Sequence, residues 1–298
     1  MQVGIFGFES KVDKIVEEVA IAAGQGFASF WVPQIFGVDA LTALAVAGRE
    51  VPEIKLGTSV IPTYPRHPMM LAQQALTVSQ VIGGGRLQLG IGLSHQPVVE
   101  GMWGMPFEKP VRHMREYLEL LGPMLHDQSV SASYETLTAR GQLDIPDAEA
   151  PAVLVAALGP QMLKVTGRLA DGTITWMTGA KTIAELTVPT IAAAAEEAGK
   201  AAPQIVVGLP ICITADVEAA RARAAKEFQI YGQLPSYRAM LDNEGLGGPE
   251  DLALIGDPAE IRDRIAVFED GGMTTFAASS FGNESERAAT REFLQGLL

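Results

Sequence analysis

Short apolar runs alternate with amphipathic stretches along nearly the whole chain, and that alternation predicts the fold. Gln2 to Phe8 is an apolar run suited to a buried strand, and Val12, Ile15, Val16 and Val19 then fall at helical spacing behind a candidate cap, Ser10. Gly24 and Gly26 end that helix before a second strand, Phe27 to Val32. The rhythm repeats with a helix at Asp39 to Ala47, a strand at Ile54 to Ile61 and a helix at Met69 to Val81. Three glycines, 83 to 85, turn the chain into a fourth strand, Leu87 to Ile91, and Lys109 to Leu125 is an amphipathic helix.

Asp127 to Ala150 is polar and irregular, with hairpin-like pieces, and reads as an insertion. The alternation resumes with strands at Val153 to Ala157, Gly172 to Trp176, Ile205 to Ile213 and Thr274 to Ser279. Between and after them, helices are predicted at Met162 to Ala170, Ile183 to Lys200, Glu218 to Asn243 (broken near Pro235), Pro249 to Leu254, Pro258 to Asp270 and Ser285 to Leu297. Eight strands joined by helices imply parallel crossovers, and eight is the number that closes a (β/α)8 TIM barrel. A doubly wound open sheet would carry a phosphate-binding glycine pattern after its first strand; Gly7-Phe8-Glu9-Ser10 is not one. No linker separates the chain, so residues 1–298 are expected to form one domain.

Composition narrows the function. A formal net charge of −13 opposes a nucleic-acid or anionic-membrane role, and no apolar stretch is long enough to span a bilayer. The opening MQVGIFGFES lacks the basic and long apolar regions of a signal peptide, and the single cysteine, Cys212, excludes an internal disulfide. Both point to the cytoplasm. No Asp, Glu and His cluster has metal spacing, so no metal site is expected. No lysine stands at a strand end for a Schiff base; the nearest, Lys181, starts a helix. No Gly-x-Ser-x-Gly elbow occurs, and Cys212 lies within a strand, where it reads as a small buried apolar residue.

In such a barrel the active site lies at the strand C-termini. The residues there are small, apolar and rich in backbone. Gly90-Ile91-Gly92 would let a planar ligand approach the main chain, and Leu158-Gly159-Pro160-Gln161-Met162 opens a helix whose free N–H groups suit an anion. Gly179 begins the next helix and offers a second wall. A planar ring against glycine together with a phosphate on a helix N-terminus describes a phosphorylated flavin-type cofactor. Each signal alone is commonly just a turn or a helix start.

The segments GFASFWVPQ (26–34), IKLGTSVIPTYPRHPMMLAQQALTVSQVIGGGRLQLGIGLSH (54–95), LGPQMLKVTGRLADGTITW (158–176) and GDPAEIRDRIAVFEDGGMTTF (256–276) resemble the luciferase-like flavin and deazaflavin oxidoreductases. The similarity runs through nearly the whole chain and is nearest to enzymes that use coenzyme F420, a deazaflavin. It implies a luciferase-like barrel, a homodimer, and a non-prolyl cis peptide carried onto Ser59-Val60. It also implies a cofactor site including Ser59, Val60, Gly92, Leu93, Ser94, Gly159, Pro160, Gln161 and Met162, to which the strand-end rule adds Gly7, Ile61 and Gly179. The family's acidic residue and histidine after strand two are here Gln34 and Ile35; Gln34 can hydrogen-bond but not transfer a proton at neutral pH. That departure argues against a flavin monooxygenase and against a sugar-phosphate dehydrogenase.

His95, Ser94 and Gln34 are therefore the candidate catalytic residues, with His95 suited to proton donation and equally to a plain loop hydrogen bond. His67 at a helix start reads as structural or phosphate-adjacent, and His113 and His126 as outer-helix residues. Trp31 is expected in the core and Arg66 near an anionic tail or in solvent; Met102, Trp103 and Met105 suit an apolar substrate wall or ordinary packing. The expected activity is hydride transfer between F420 and a small or medium organic substrate. The alternatives are an FMN-dependent monooxygenase and a cofactor-binding protein without catalysis.

Overall fold

The computed structural model describes all 298 residues. In its first half the elements are β1 (Gln2–Phe6), α1 (Val12–Gly24), β2 (Ser29–Val32), α2 (Ala40–Glu50), β3 (Lys55–Thr58), β4 (Ile61–Pro62), α3 (Pro68–Ile82), β5 (Leu87–Gly92), α4 (Gln96–Gly101) and α5 (Pro110–His126). A hairpin follows, β6 (Ser129–Ser133) and β7 (Thr138–Gln142), then β8 (Ala152–Val155), α6 (Pro160–Leu169) and β9 (Gly172–Trp176). Next, α7 (Ala180–Thr182) runs through a π-helical turn into α8 (Val188–Glu197). The last part holds β10 (Gln204–Ile213), α9 (Val217–Glu227), α10 (Pro235–Glu244), β11 (Leu254–Gly256), α11 (Pro258–Asp270), β12 (Thr275–Ser280) and α12 (Glu284–Gln295).

Eight parallel strands close on themselves in the order β1, β2, β3, β5, β8, β9, β10, β12, with β12 returning to β1 through Gln2 opposite Thr275 and Ile5 opposite Ala278. All eight predicted strands are present. The barrel interior is filled by Phe6, Trp31, Leu154, Ile174, Val206 and Ala277, from six different strands. Large and small residues are matched across it. A Cβ on Gly57 would lie 2.2 Å from the Trp31 ring and one on Gly4 would lie 2.3 Å from Ser29 Oγ, which itself accepts from Trp31 Nε1 at 2.9 Å. The strands' outer faces and the helices form the larger core, with Ile15, Val19, Leu41, Leu44, Leu71, Leu76 and Leu121 all buried.

Several details differ from expectation. Residues 218–243 are not one broken helix but α9, a 3-10 turn at Gln229–Gly232 and α10, because Pro235 can only begin a helix there. Pro249 to Leu254 is not helical throughout: a 3-10 turn ends at Asp251 and Leu254 starts β11, which pairs with the end of β10. The loop after β5 carries α4, begun by a proline in its first turn. The insertion holds the β6–β7 hairpin, anchored where Glu116 accepts from Thr136 N (2.7 Å) and Oγ1 (2.6 Å). His67 caps α3, accepting from Met69 N at 3.3 Å, while its Nε2 donates to the Thr138 carbonyl at 2.9 Å.

Arg86 ties α2, α3 and the start of β3 together by donating to the carbonyls of Gly48 (3.0 Å), Val51 (2.6 Å), Ile54 (2.9 Å) and Ile82. These are largely helix-terminal acceptors that would otherwise lack partners. No helix is long and apolar enough to cross a membrane.

Candidate active site

The strand C-termini assemble a mouth with two walls. On one side lies the β3–β4 connection, where the Ser59-Val60 peptide is cis. Ile61 pairs with Ile91, Ile91 pairs with Val155, and Ala156 N donates to Ile91 O at 2.8 Å, so the ends of β4, β5 and β8 are neighbours. The glycines of β5 serve this bulge. A Cβ on Gly90 would lie 1.9 Å from the Thr58 carbonyl oxygen, and one on Gly92 would lie 2.6 Å from Val60 Cγ2. The space expected for a ligand beside Gly90 and Gly92 is thus filled by the bulge itself. Leu93, Ser94 and His95 continue from Gly92, with Ser94 in the left-handed region at φ 63°.

The N-terminus of α6 borders the same wall. Gly159 occupies its cap position and no side chain caps it. Nothing lies within 4 Å of where a Gly159 Cβ would be. Pro160 has no N–H, Gln161 is exposed, and Met162 is buried beneath. A free helix N-terminus facing open space fits a phosphate group.

The other expected helix start differs. A Cβ on Gly179 would lie 2.2 Å from the Glu244 carboxyl carbon, and Glu244 Oε1 accepts from Thr182 N (2.6 Å) and Thr182 Oγ1 (2.5 Å). Gly179 therefore makes room for Glu244, and a carboxylate already occupies the start of α7. Gly7 is filled likewise: its N–H donates to Trp31 O at 2.9 Å, and a Cβ would meet the Phe30 ring at 2.5 Å.

Gln34 is engaged in holding α2. Its Oε1 accepts from Ala40 N at 2.9 Å, next to Asp39, which caps the helix through Thr42 N at 2.9 Å. Arg66 is neither solvated nor turned to the mouth; it pairs with Asp39 and donates to Gln74 Oε1 at 2.7 Å. Burial opposes ionisation of Asp39, but Thr42 and Arg66 outweigh it and hold the carboxyl at about 2. His113 is buried, with Nε2 3.1 Å from Thr63 Oγ1 and its ring stacked on Tyr64 at 4.1 Å. It props the residues that follow the cis bulge from behind, and burial lowers it to about 4. Burial also lowers His95, so its ring is neutral at pH 7.

The opposite wall is aromatic. Phe6 and Phe8 stack at 4.9 Å, and Trp176, the last residue of β9, lies 5.1 Å and 5.9 Å from them. Tyr231 stands 6.0 Å from Trp176 and 5.0 Å from Tyr237, which meets the His95 ring at 5.8 Å. The segment between β10 and β11 thus reaches over the mouth and touches the loop after β5. Met177 follows Trp176 at φ 51°, a second left-handed non-glycine residue at a strand end. Tyr231, Tyr237 and Glu244 belong to no motif, whereas Trp176 closes the 158–176 segment and ends an apolar strand.

Residues 4–275 match the family described as luciferase-like monooxygenase. The 5,10-methylenetetrahydromethanopterin reductase of Methanolobus tindarius is 28% identical over 276 residues, covering 91% of this chain and 83% of the relative. Among solved structures, the coenzyme F420 dependent tetrahydromethanopterin reductase from Methanopyrus kandleri superposes with a TM-score of 0.81 at 21% identity, over 99% of this chain and 97% of the other. The oxygenating constituent of 3,6-diketocamphane monooxygenase from Pseudomonas putida, in complex with FMN, gives 0.74 at 16% identity, covering 99% and 96%.

Proposed function

The chain belongs to the luciferase-like monooxygenase family, and from that premise we propose that it is a coenzyme F420-dependent oxidoreductase, moving a hydride between the deazaflavin and a small or medium organic substrate. The observation that carries this reading is the open, uncapped N-terminus of α6 at Gly159, at the same barrel mouth as the end of β5. That N-terminus suits the phosphate of a cofactor whose planar ring lies across the mouth. The similarity to a Mycobacterium tuberculosis protein described as a putative coenzyme F420-dependent oxidoreductase, 32% identical over 186 residues (58% of this chain and 53% of the relative), supports the deazaflavin over FMN.

When bound, the deazaflavin supplies the hydride-carrying carbon. The chain's residues bind and orient it. The N–H groups of Gln161 and Met162 would hold the phosphate, with Pro160 fixing the first helical turn. Val60 and Ile61 would support the ring, with the backbone of Leu93 and Ser94 at its edge. The aromatic wall of Phe8, Trp176 and Tyr231 would exclude water on the substrate side. His95, neutral at pH 7, would accept a proton at a ring nitrogen in the oxidising direction and return it in the reducing one; Ser94 adjoins it. Gln34 would act through the placement of α2, since its amide is occupied. By the same resemblance the protein is read as a homodimer, and its single cysteine fits the cytoplasm.

The FMN-bound structural neighbour defines the second reading, an FMN monooxygenase. Multiple-turnover oxidation of reduced F420 with an organic acceptor, and no oxygen uptake with reduced FMN, is the expected result. Oxygen uptake with reduced FMN and no reaction of reduced F420 would replace the proposal with the second reading. His95→Ala is expected to lower turnover while leaving F420 binding intact; unchanged turnover would remove His95 from the reaction.

A further inference from the structure

The barrel holds two tryptophans near its axis, and it treats their N–H groups differently. Trp31 Nε1 donates to Ser29 Oγ at 2.9 Å. Trp176 Nε1 is shut off from solvent and has no acceptor at all. An indole nitrogen can only donate, and a buried donor without a partner destabilises the fold. The sequence supplies a partner for the tryptophan deep in the barrel and none for the one at the mouth.

The surroundings of Trp176 are those of a binding face. It ends β9 at the strand C-terminus and is followed by the left-handed Met177. Phe6, Phe8, Phe228 and Tyr231 surround it at 5.1, 5.9, 6.2 and 6.0 Å between ring centres. Phe8 is half exposed, so one aromatic face of the box is open. Tyr231 stands at 63° to the indole. Burial pushes its phenol up and the Trp176 N–H draws it back, yet the two groups fall short of hydrogen-bond geometry. The phenol oxygen can accept as well as donate, but it does not meet the indole N–H, and an acceptor placed beside both groups would satisfy the two of them.

We infer that Trp176 Nε1 and the Tyr231 hydroxyl form a two-donor clamp for an oxygen atom of the substrate, and that the substrate is a planar conjugated molecule bearing a carbonyl. Its flat body would lie against Phe8 and the Trp176 face, and its oxygen would enter between the two donors as the Tyr231 side chain turns aside. The inference rests on the reading of the mouth as a hydride-transfer site and names the substrate class of that site. A clamp of this kind discriminates strongly, because an analogue without the oxygen leaves both donors unpaired.

The test is calorimetric titration of the full-length protein, with and without saturating coenzyme F420, using 4-phenylbut-3-en-2-one and its oxygen-free counterpart 1-phenylbut-1-ene. The wild type is expected to bind the ketone at least about tenfold more tightly than the hydrocarbon. Trp176→Phe keeps the ring and removes the N–H; it is expected to lose about tenfold for the ketone and nothing for the hydrocarbon. Tyr231→Phe should lose several-fold in the same selective way. The thermal midpoint of Trp176→Phe should equal or exceed that of the wild type, because the orphaned donor is gone. Equal wild-type affinity for the two probes, or an equal loss for both in Trp176→Phe, would overturn the clamp. Ketone preference in a protein that fails to bind F420 would support the clamp and remove the deazaflavin reading; F420 binding without ketone preference would remove the clamp alone.

Discussion

His113 links the stability of the protein to pH through the residues that support the cis bulge. It lies 3.1 Å from Thr63 Oγ1, stacks on Tyr64 with the rings 3° from parallel, and is held by burial at about 4. An unfolded histidine titrates near 6.5. The folded state therefore binds fewer protons than the unfolded state between those values, so stability rises with pH across that window. It is complete above about pH 6.5 and is lost as pH falls towards 4. A difference of about 2.5 units corresponds to about 3.4 kcal/mol at most, and about 2.5 kcal/mol is expected by pH 4.5. His113→Phe preserves the stacking, removes the titration and loses one hydrogen bond, about 1 kcal/mol. Urea unfolding of both proteins at pH 7.5, 6.5, 5.5 and 4.5 should therefore give crossing curves. The variant should be about 1 kcal/mol weaker at the highest pH and about 1.5 kcal/mol stronger at the lowest. Parallel curves would refute the burial argument.

Three further outcomes follow from named contacts. Arg86→Ala removes a guanidinium that serves four backbone carbonyls and should cost about 3 kcal/mol, lowering the thermal midpoint by about 5 °C in differential scanning calorimetry. Asp39→Asn should destabilise by about 1 kcal/mol at pH 7, an amount reduced by the solvent around a carboxylate that is about a third exposed; because Asp39 is depressed to about 2, the penalty should shrink as pH falls below 4 and vanish near 2 in acid-unfolding curves. Gly159→Asp places a carboxylate at the free α6 N-terminus and should leave the fold intact or about 0.5 kcal/mol more stable, while weakening F420 binding at least about tenfold by fluorescence titration.

The barrel was legible in the sequence because each of its strands is a short apolar run flanked by a helix with one apolar face. That is the pattern of strands buried on both sides. The cis peptide at Ser59-Val60 followed from resemblance, not from any local rule, and the structure has it. Elements with few residues were hidden. β11 is three residues paired only to the end of β10, and α4 is six residues of a loop. Gly90 and Gly179 show why a glycine by itself does not mark a ligand: one admits the Thr58 carbonyl and the other the Glu244 side chain. The aromatic wall was invisible because Phe8, Trp176 and Tyr231 are brought together by barrel closure across long separations, and no periodicity records that. The helical pattern alone puts His113 on an outer helix; it is on α5, but on the face buried against Tyr64.

A mouth built for a deazaflavin should distinguish it from FMN in a fluorescence titration of the purified protein with oxidised coenzyme F420 and, separately, with FMN. Micromolar or tighter binding of F420 and much weaker binding of FMN are expected. A preference for FMN, or binding of neither, would contradict the deazaflavin reading.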